Sequence, residues 1–107
     1  MTVAEIFEKM PNVLNPAAAA GMYKTLQWNI TGEQAGAWAL KIDDGIGTLI
    51  PNGVEKPDII FTVSDEHWLA ITEGELDAMN AFMTGKLKVA GDMMLAIKVP
   101  NLFPTRR

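Results

Sequence analysis

Gly85-Lys86-Leu87-Lys88-Val89-Ala90-Gly91-Asp92-Met93-Met94-Leu95-Ala96-Ile97-Lys98-Val99-Pro100 holds a helix stop, a short strand and an apolar helix in succession. Gly85 stands where a left-handed residue ends a preceding helix. Residues 86–90 alternate basic and apolar, the period of a strand with one wet face. Gly91 turns the chain and Asp92 offers a side-chain oxygen to the first N–H groups of a helix. The spacing predicts that helix over about residues 92–99, stopped by Pro100. Its apolar residues Met93, Met94, Leu95, Ala96, Ile97 and Val99 point all round the axis, against only Asp92 and Lys98. A surface helix keeps a polar face, so this one needs sheet, helices, a second chain or a ligand on every side. Leu102 and Phe103 prolong the apolar character beyond Pro100.

Upstream, the same periodicity predicts two helices, over about residues 65–73 and 75–84. The first is capped by Ser64 or Asp65 and carries Trp68, Leu69 and Ile71 on its inner side. The second clusters Leu76, Met79, Phe82 and Met83 on one face. Before them come four strands read from period-two alternation. Residues 22–30 place Leu26, Trp28 and Ile30 on one side, and residues 37–42 place Trp38, Leu40 and Ile42 inward. Asp43-Asp44-Gly45 is a hairpin signal, residues 46–50 form a third strand, and residues 58–63 a fourth with Ile59, Phe61 and Val63 on one face. At the start, Thr2 and Glu5 make a capping box for a helix over residues 3–10 that Pro11 stops. Pro16 and four alanines predict a second short helix ending at Gly21. The order of elements is that of an α+β domain whose helices cover one face of a sheet. The length, 107 residues, suits a single domain over 1–107.

Composition excludes several functions. There is no cysteine, hence no disulfide framework, thiolate metal site or cysteine nucleophile. The only histidine, His67, sits beside Glu66 on the solvent side of a helix and cannot build a histidine metal site alone. Ser64 is the only serine and lacks a nucleophile-elbow context. Asp43-Asp44 and Asp65-Glu66 are carboxylate pairs, but turns and helix starts want acids at those places. Gly45-Ile46-Gly47 lacks the further glycine and lysine of a phosphate loop. The expectation is therefore no catalytic residue, no metal and no cofactor. A net charge of -4 argues against a nucleic-acid partner, which needs a basic face. The charge is uneven: residues 1–85 balance to -8, and residues 86–107 to +4 through Lys86, Lys88, Lys98, Arg106 and Arg107 against Asp92. That basic end reads as a solvated surface or as a contact for anionic lipid surfaces. No apolar run approaches a membrane span, no basic-apolar signal opens the chain, and Thr105-Arg106-Arg107 is not a peroxisomal tripeptide; the expected location is cytoplasmic.

Methionine sharpens the reading of the last helices. Four of seven methionines, Met79, Met83, Met93 and Met94, fall within sixteen residues. Methionine is flexible and suits pockets that accept varied shapes; core packing, a ligand pocket and an oligomer interface all remain open.

Asp58-Ile59-Ile60-Phe61-Thr62-Val63-Ser64-Asp65 resembles the fourth strand and cap of the sterol carrier protein type 2 family. Ala81-Phe82-Met83-Thr84-Gly85-Lys86-Leu87-Lys88-Val89-Ala90-Gly91-Asp92-Met93 resembles it more closely, and Ile30-Thr31-Gly32 and Trp38 are similar to its first hairpin. The likeness runs over about residues 20–103. It implies a five-stranded, mostly antiparallel sheet covered on one face by helices, with an apolar tunnel between them. It implies a non-enzymatic protein that binds, and carries or presents, fatty acids, fatty acyl-CoA esters, sterols or phospholipids, with no cofactor. The apolar pattern then nominates Met79, Phe82, Met83, Met93, Met94, Ile97, Leu102 and Phe103 as lipid-binding residues, with Leu40 and Phe61 read as plain core or as an opposite wall. The alternative is an accessory or scaffold protein whose last helix docks a lipid-metabolism enzyme or, as a homodimer, a second copy. Relative to the family pattern, the chain stops soon after its last helix.

Overall fold

The computed structural model describes residues 2–103. The elements, in chain order, are α1 (Val3–Val13), β1 (Tyr23–Thr31), β2 (Gly36–Asp43), β3 (Ile46–Pro51), β4 (Ile59–Ser64), α2 (Asp65–Thr72), α3 (Ala78–Met83), β5 (Leu87–Gly91) and α4 (Met93–Leu102). The strands form one sheet in the order β3-β2-β1-β4-β5. All neighbours are antiparallel except β1 and β4, which run parallel. The five strands thus fall where alternation placed them, and the architecture is α+β.

Local chemistry explains the connections. Asp44 and Gly45 both have positive φ, 48° and 87°, the geometry of a two-residue turn that matches strand twist. Reaching β4 from β3 requires a crossover, because β4 lies beyond both β2 and β1. Gln27 secures that crossover on the side of the sheet opposite Leu26 and Trp28. Its Oε1 accepts the Val54 N–H at 2.8 Å, and its Nε2 donates to Asn29 Oδ1 at 3.0 Å. At the far end, Gly91 has φ +112°, and a Cβ there would stand 2.5 Å from the Asp58 carbonyl oxygen. Asp92 N–H donates to that same carbonyl at 2.9 Å. A glycine is therefore required for β5 to turn into α4.

The helices bury apolar residues against one sheet face. Phe7 and Met10 of α1, Trp68 of α2, and Leu95 and Leu102 of α4 meet Leu26, Trp28, Leu40, Ile59 and Phe61. Phe7 is sandwiched, its ring stacked 4.7 Å from Trp38 and 5.3 Å from Trp68. Trp28 stacks on Phe61 at 5.4 Å and meets Phe103 edge-on at 6.1 Å. Leu40 and Phe61, nominated as an opposite wall, are parts of this core.

Three helix boundaries differ from expectation, and one expected helix is absent. Helix α1 passes through Pro11 to Val13. Proline removes one N–H but leaves the carbonyls free, and the Met10 carbonyl still receives Leu14 N–H at 3.2 Å. Helix α4 likewise passes through Pro100 to Leu102. Residues 16–21 form turns rather than a helix, since so short a segment cannot repay helix nucleation. Instead Gly21 N–H donates to Asp44 Oδ1 at 2.8 Å and Asp44 N–H to the Met22 carbonyl at 2.9 Å. Helix α3 starts at residue 78, later than the expected 75. Asp77 caps it by accepting Asn80 N–H at 3.0 Å, while Glu75 and Leu76 still bond to the Ala70 carbonyl.

Candidate functional site

Helix α4 is built as its sequence suggests. Asp92 Oδ1 accepts the N–H groups of Met94 and Leu95 at 3.1 and 3.2 Å. Those bonds, the Leu95 N–H first, hold its carboxyl below the usual carboxylate range, with help from Lys24. Lys24 Nζ lies 3.4 Å from Asp92 Oδ2, tying β1 to the start of α4. Leu95 and Leu102 seal the core, and Ala96 and Val99 are half-buried against it. Met94 and Ile97 are each 68% exposed, and Met93 47%.

The eight nominated lipid-binding residues therefore divide. Leu102 is buried in the core, and Phe103 packs beside Trp28. Met79, Phe82 and Met83 lie exposed on α3, and Met93, Met94 and Ile97 lie exposed on α4. Both helices contact β5, the edge strand, whose Lys88 is exposed. Arg106 and Arg107 of the basic end lie outside the described residues.

Two open depressions accompany this arrangement. One, of about 630 Å³, runs between α4 and residues 18–24. Met22, Met94 and Leu95 supply apolar surface there, and Lys24, Lys98 and Asn101 supply polar ends. Of the eight nominated residues, Met94 alone lines it. Sequence reasoning missed its other wall because residues 16–21 read as helix; the available signal was Lys98, the lone cation on an otherwise apolar helix. Residues 94, 95, 98 and 101 recur at helical spacing and so share one face of α4.

The second depression, about 420 Å³, surrounds Asp65 and is lined by Gly32, Gln34, Ser64, Glu66 and Leu69, among others. Its chemistry is structural. Asp65 Oδ2 accepts Gln34 N–H at 2.9 Å and Oδ1 accepts Glu66 N–H at 2.7 Å. The Gln34 bond foremost holds the Asp65 carboxyl below its ordinary range. Among the described residues, no group of three His, Asp or Glu side chains could hold a metal ion, and no helix is long and apolar enough to cross a membrane. His67 spends its backbone N–H on the Ser64 hydroxyl at 3.2 Å.

Comparison with known proteins agrees with this build. Residues 4–104 match the family described as the SCP-2 sterol transfer family. Human sterol carrier protein 2 is 37% identical over 71 residues, which cover 66% of this chain and 13% of the human protein. The chain thus spans only a small part of that relative's length. Among solved structures, sterol carrier protein domain 2 of Helicoverpa armigera has a TM-score of 0.73 at 31% identity, covering 92% of this chain and 80% of that one. Palmitated SCP2L2 from Aedes aegypti has a TM-score of 0.81 at 23% identity, covering 100% of this chain and 98% of that one. The five-stranded sheet, its helical cover and the match over residues 4–104 together show that this chain belongs to the SCP-2 sterol transfer family.

Proposed function

We propose that this chain binds a lipid non-catalytically, its apolar part lodged beneath α4, and carries or presents that lipid to a membrane or an enzyme. One observation carries the reading: α4 seals the core with Leu95 and Leu102 yet leaves Met93, Met94 and Ile97 exposed, and Met94 with Leu95 lines a groove of about 630 Å³. That volume lies in the range of small-molecule sites, roughly 300–1,000 Å³. The interior itself is filled by aromatic rings. A lipid chain would therefore enter from the groove by moving Met94 and Phe103, opening the tunnel that the family resemblance implies. Methionine side chains make such repacking cheap. Burial of the chain supplies affinity at roughly 25 cal/mol per Å², less the cost of ordering the ligand.

The ligand class rests on family membership and on the human relative's name, sterol carrier protein 2. Sterols, fatty acids, acyl-CoA esters and phospholipids all fit that class. The exposed apolar side chains of α4, with Lys88 and Lys98 nearby in sequence, also suit brief contact with an anionic bilayer. Native mass spectrometry after incubation with palmitate, the lipid on the Aedes protein, tests the reading. A one-to-one complex is expected. Absence of any complex with palmitate, cholesterol or phospholipid would overturn it.

A further inference from the structure

We propose that Trp68 gives the interior a preference for lipids carrying one neutral keto oxygen within the chain, its indole N–H being the donor. The proposal rests on the lipid-binding reading above and adds a specificity residue and a ligand class to it. Trp68 stands on α2, is 7% exposed and belongs to the apolar core. Among the described residues, its Nε1 is the one buried side-chain nitrogen or oxygen that no hydrogen bond satisfies. A buried donor left unmet is costly, and buried indole N–H groups ordinarily find an acceptor. Phe7 does not supply one. Its ring stacks on Trp68 at 5.3 Å and 9°, and an N–H lies in the plane of its own ring, so it runs past the Phe7 face. The two other buried polar side chains are engaged elsewhere. Gln27 serves Val54 and Asn29 on the opposite side of the sheet, and Asp65 holds the N–H groups of Gln34 and Glu66.

The position lies on the way in from the groove. Phe103 meets Trp28 at 6.1 Å, and Trp28 lies 5.9 Å from Trp68. A chain that displaces Phe103 therefore reaches Trp68 one ring further in. Donor and acceptor chemistry then decides which lipid is matched there. No lysine or arginine is buried among the described residues, so a carboxylate or phosphate at that depth would be an unpaired charge. A hydroxyl would bring an O–H of its own into a core whose buried polar side chains already have partners. A plain hydrocarbon leaves the indole N–H unmet. A ketone accepts a hydrogen bond and brings no donor, so one N–H and one oxygen satisfy each other. The lipid's charged head stays outside, in the groove.

The test compares stearate with stearates bearing one keto oxygen near the head, at mid-chain or near the tail. Affinities are measured by titration of the full chain and its Trp68→Phe variant, which keeps an aromatic ring for stacking on Phe7 and removes only the donor. For the keto-stearate whose oxygen reaches Trp68, the ratio of keto to plain affinity should fall about 3- to 10-fold in the variant, the scale of one neutral hydrogen bond. Plain stearate should bind both proteins alike. In the unmodified chain, that keto-stearate should move the Trp68 indole N–H NMR signal downfield and plain stearate should not, a readout that holds even if the variant folds poorly. Equal loss of plain and keto lipids in Trp68→Phe marks a packing role and overturns the assignment. An unchanged ratio for every keto position, with the indole signal unmoved, overturns it too and leaves lipid binding intact. Failure of the unmodified chain to bind stearate or any keto-stearate overturns both readings.

Discussion

Asp65 at the start of α2 accepts the backbone N–H of Gln34 at 2.9 Å, binding the β1–β2 loop to a helix more than thirty residues away. The same carboxylate takes Glu66 N–H at 2.7 Å, and it is a buried acidic side chain. Its pKa is lowered in the folded chain, first by the Gln34 bond. A carboxylate with a depressed folded pKa stabilises fully above its unfolded pKa, about 3.9, and loses that contribution as pH falls through the lower folded value. Asp65→Asn should therefore lower the urea midpoint at pH 6, and the gap from the unmodified chain should close as pH falls below about 4. Urea titrations across that range check it; a gap independent of pH would refute the assignment.

Gly32 faces the same carboxylate. Its φ is +104°, and a Cβ there would lie 2.5 Å from Asp65 Oδ1. Alanine would strain the backbone and push against a carboxylate already fixed by two N–H donors, one on each oxygen. Gly32→Ala should cost about 1–3 kcal/mol. In the Asp65→Ala background the steric part disappears, so the double variant should fall short of the sum of the single effects. Equilibrium urea unfolding of the four proteins measures the coupling.

Much of this arrangement was legible in the chain. Alternation located all five strands, since a half-buried strand must repeat every second residue, as at Leu26, Trp28 and Ile30. The parallel pairing of β1 with β4 was not visible, because it depends on the crossover held by Gln27 and Val54, twenty-seven residues apart. Helix ends were misjudged at Pro11 and Pro100, where local rules were overridden by packing of Met10 and Leu102 into the core. The functional reading was legible in part. The apolar excess of α4 is plain in its composition, but which of its residues face the core depends on its tilt against the sheet. The groove wall at residues 18–24 depends on Asp44, which holds Gly21 and Met22 in place from another turn.

Phe7 is the centre of the aromatic packing, wholly buried between Trp38 and Trp68. Phe7→Ala leaves a void between two flat rings that cannot close without moving β2 or α2. The loss should be about 3–5 kcal/mol. Phe7→Leu keeps most of the volume and should cost visibly less. Urea midpoints followed by tryptophan fluorescence report both, since Trp28, Trp38 and Trp68 all lie in or beside the stack.

Leu95 and Ile97 sit two residues apart on α4 and should respond oppositely to truncation. Leu95 is 2% exposed and belongs to the core, whereas Ile97 is 68% exposed. Leu95→Ala removes buried methyl groups and should cost about 2–5 kcal/mol. Ile97→Ala removes only wet surface and should stay within roughly 0.5 kcal/mol. If Ile97 is kept apolar to meet lipid, Ile97→Glu should leave the urea midpoint almost unchanged yet slow transfer of a fluorescent fatty acid to anionic phosphatidylserine vesicles. The slowing should be weaker with neutral phosphatidylcholine vesicles, because the new charge repels only the anionic surface at long range. Equal slowing with both vesicles would place the effect in lost apolar insertion alone, and unchanged transfer with both would remove α4 from the membrane-facing surface.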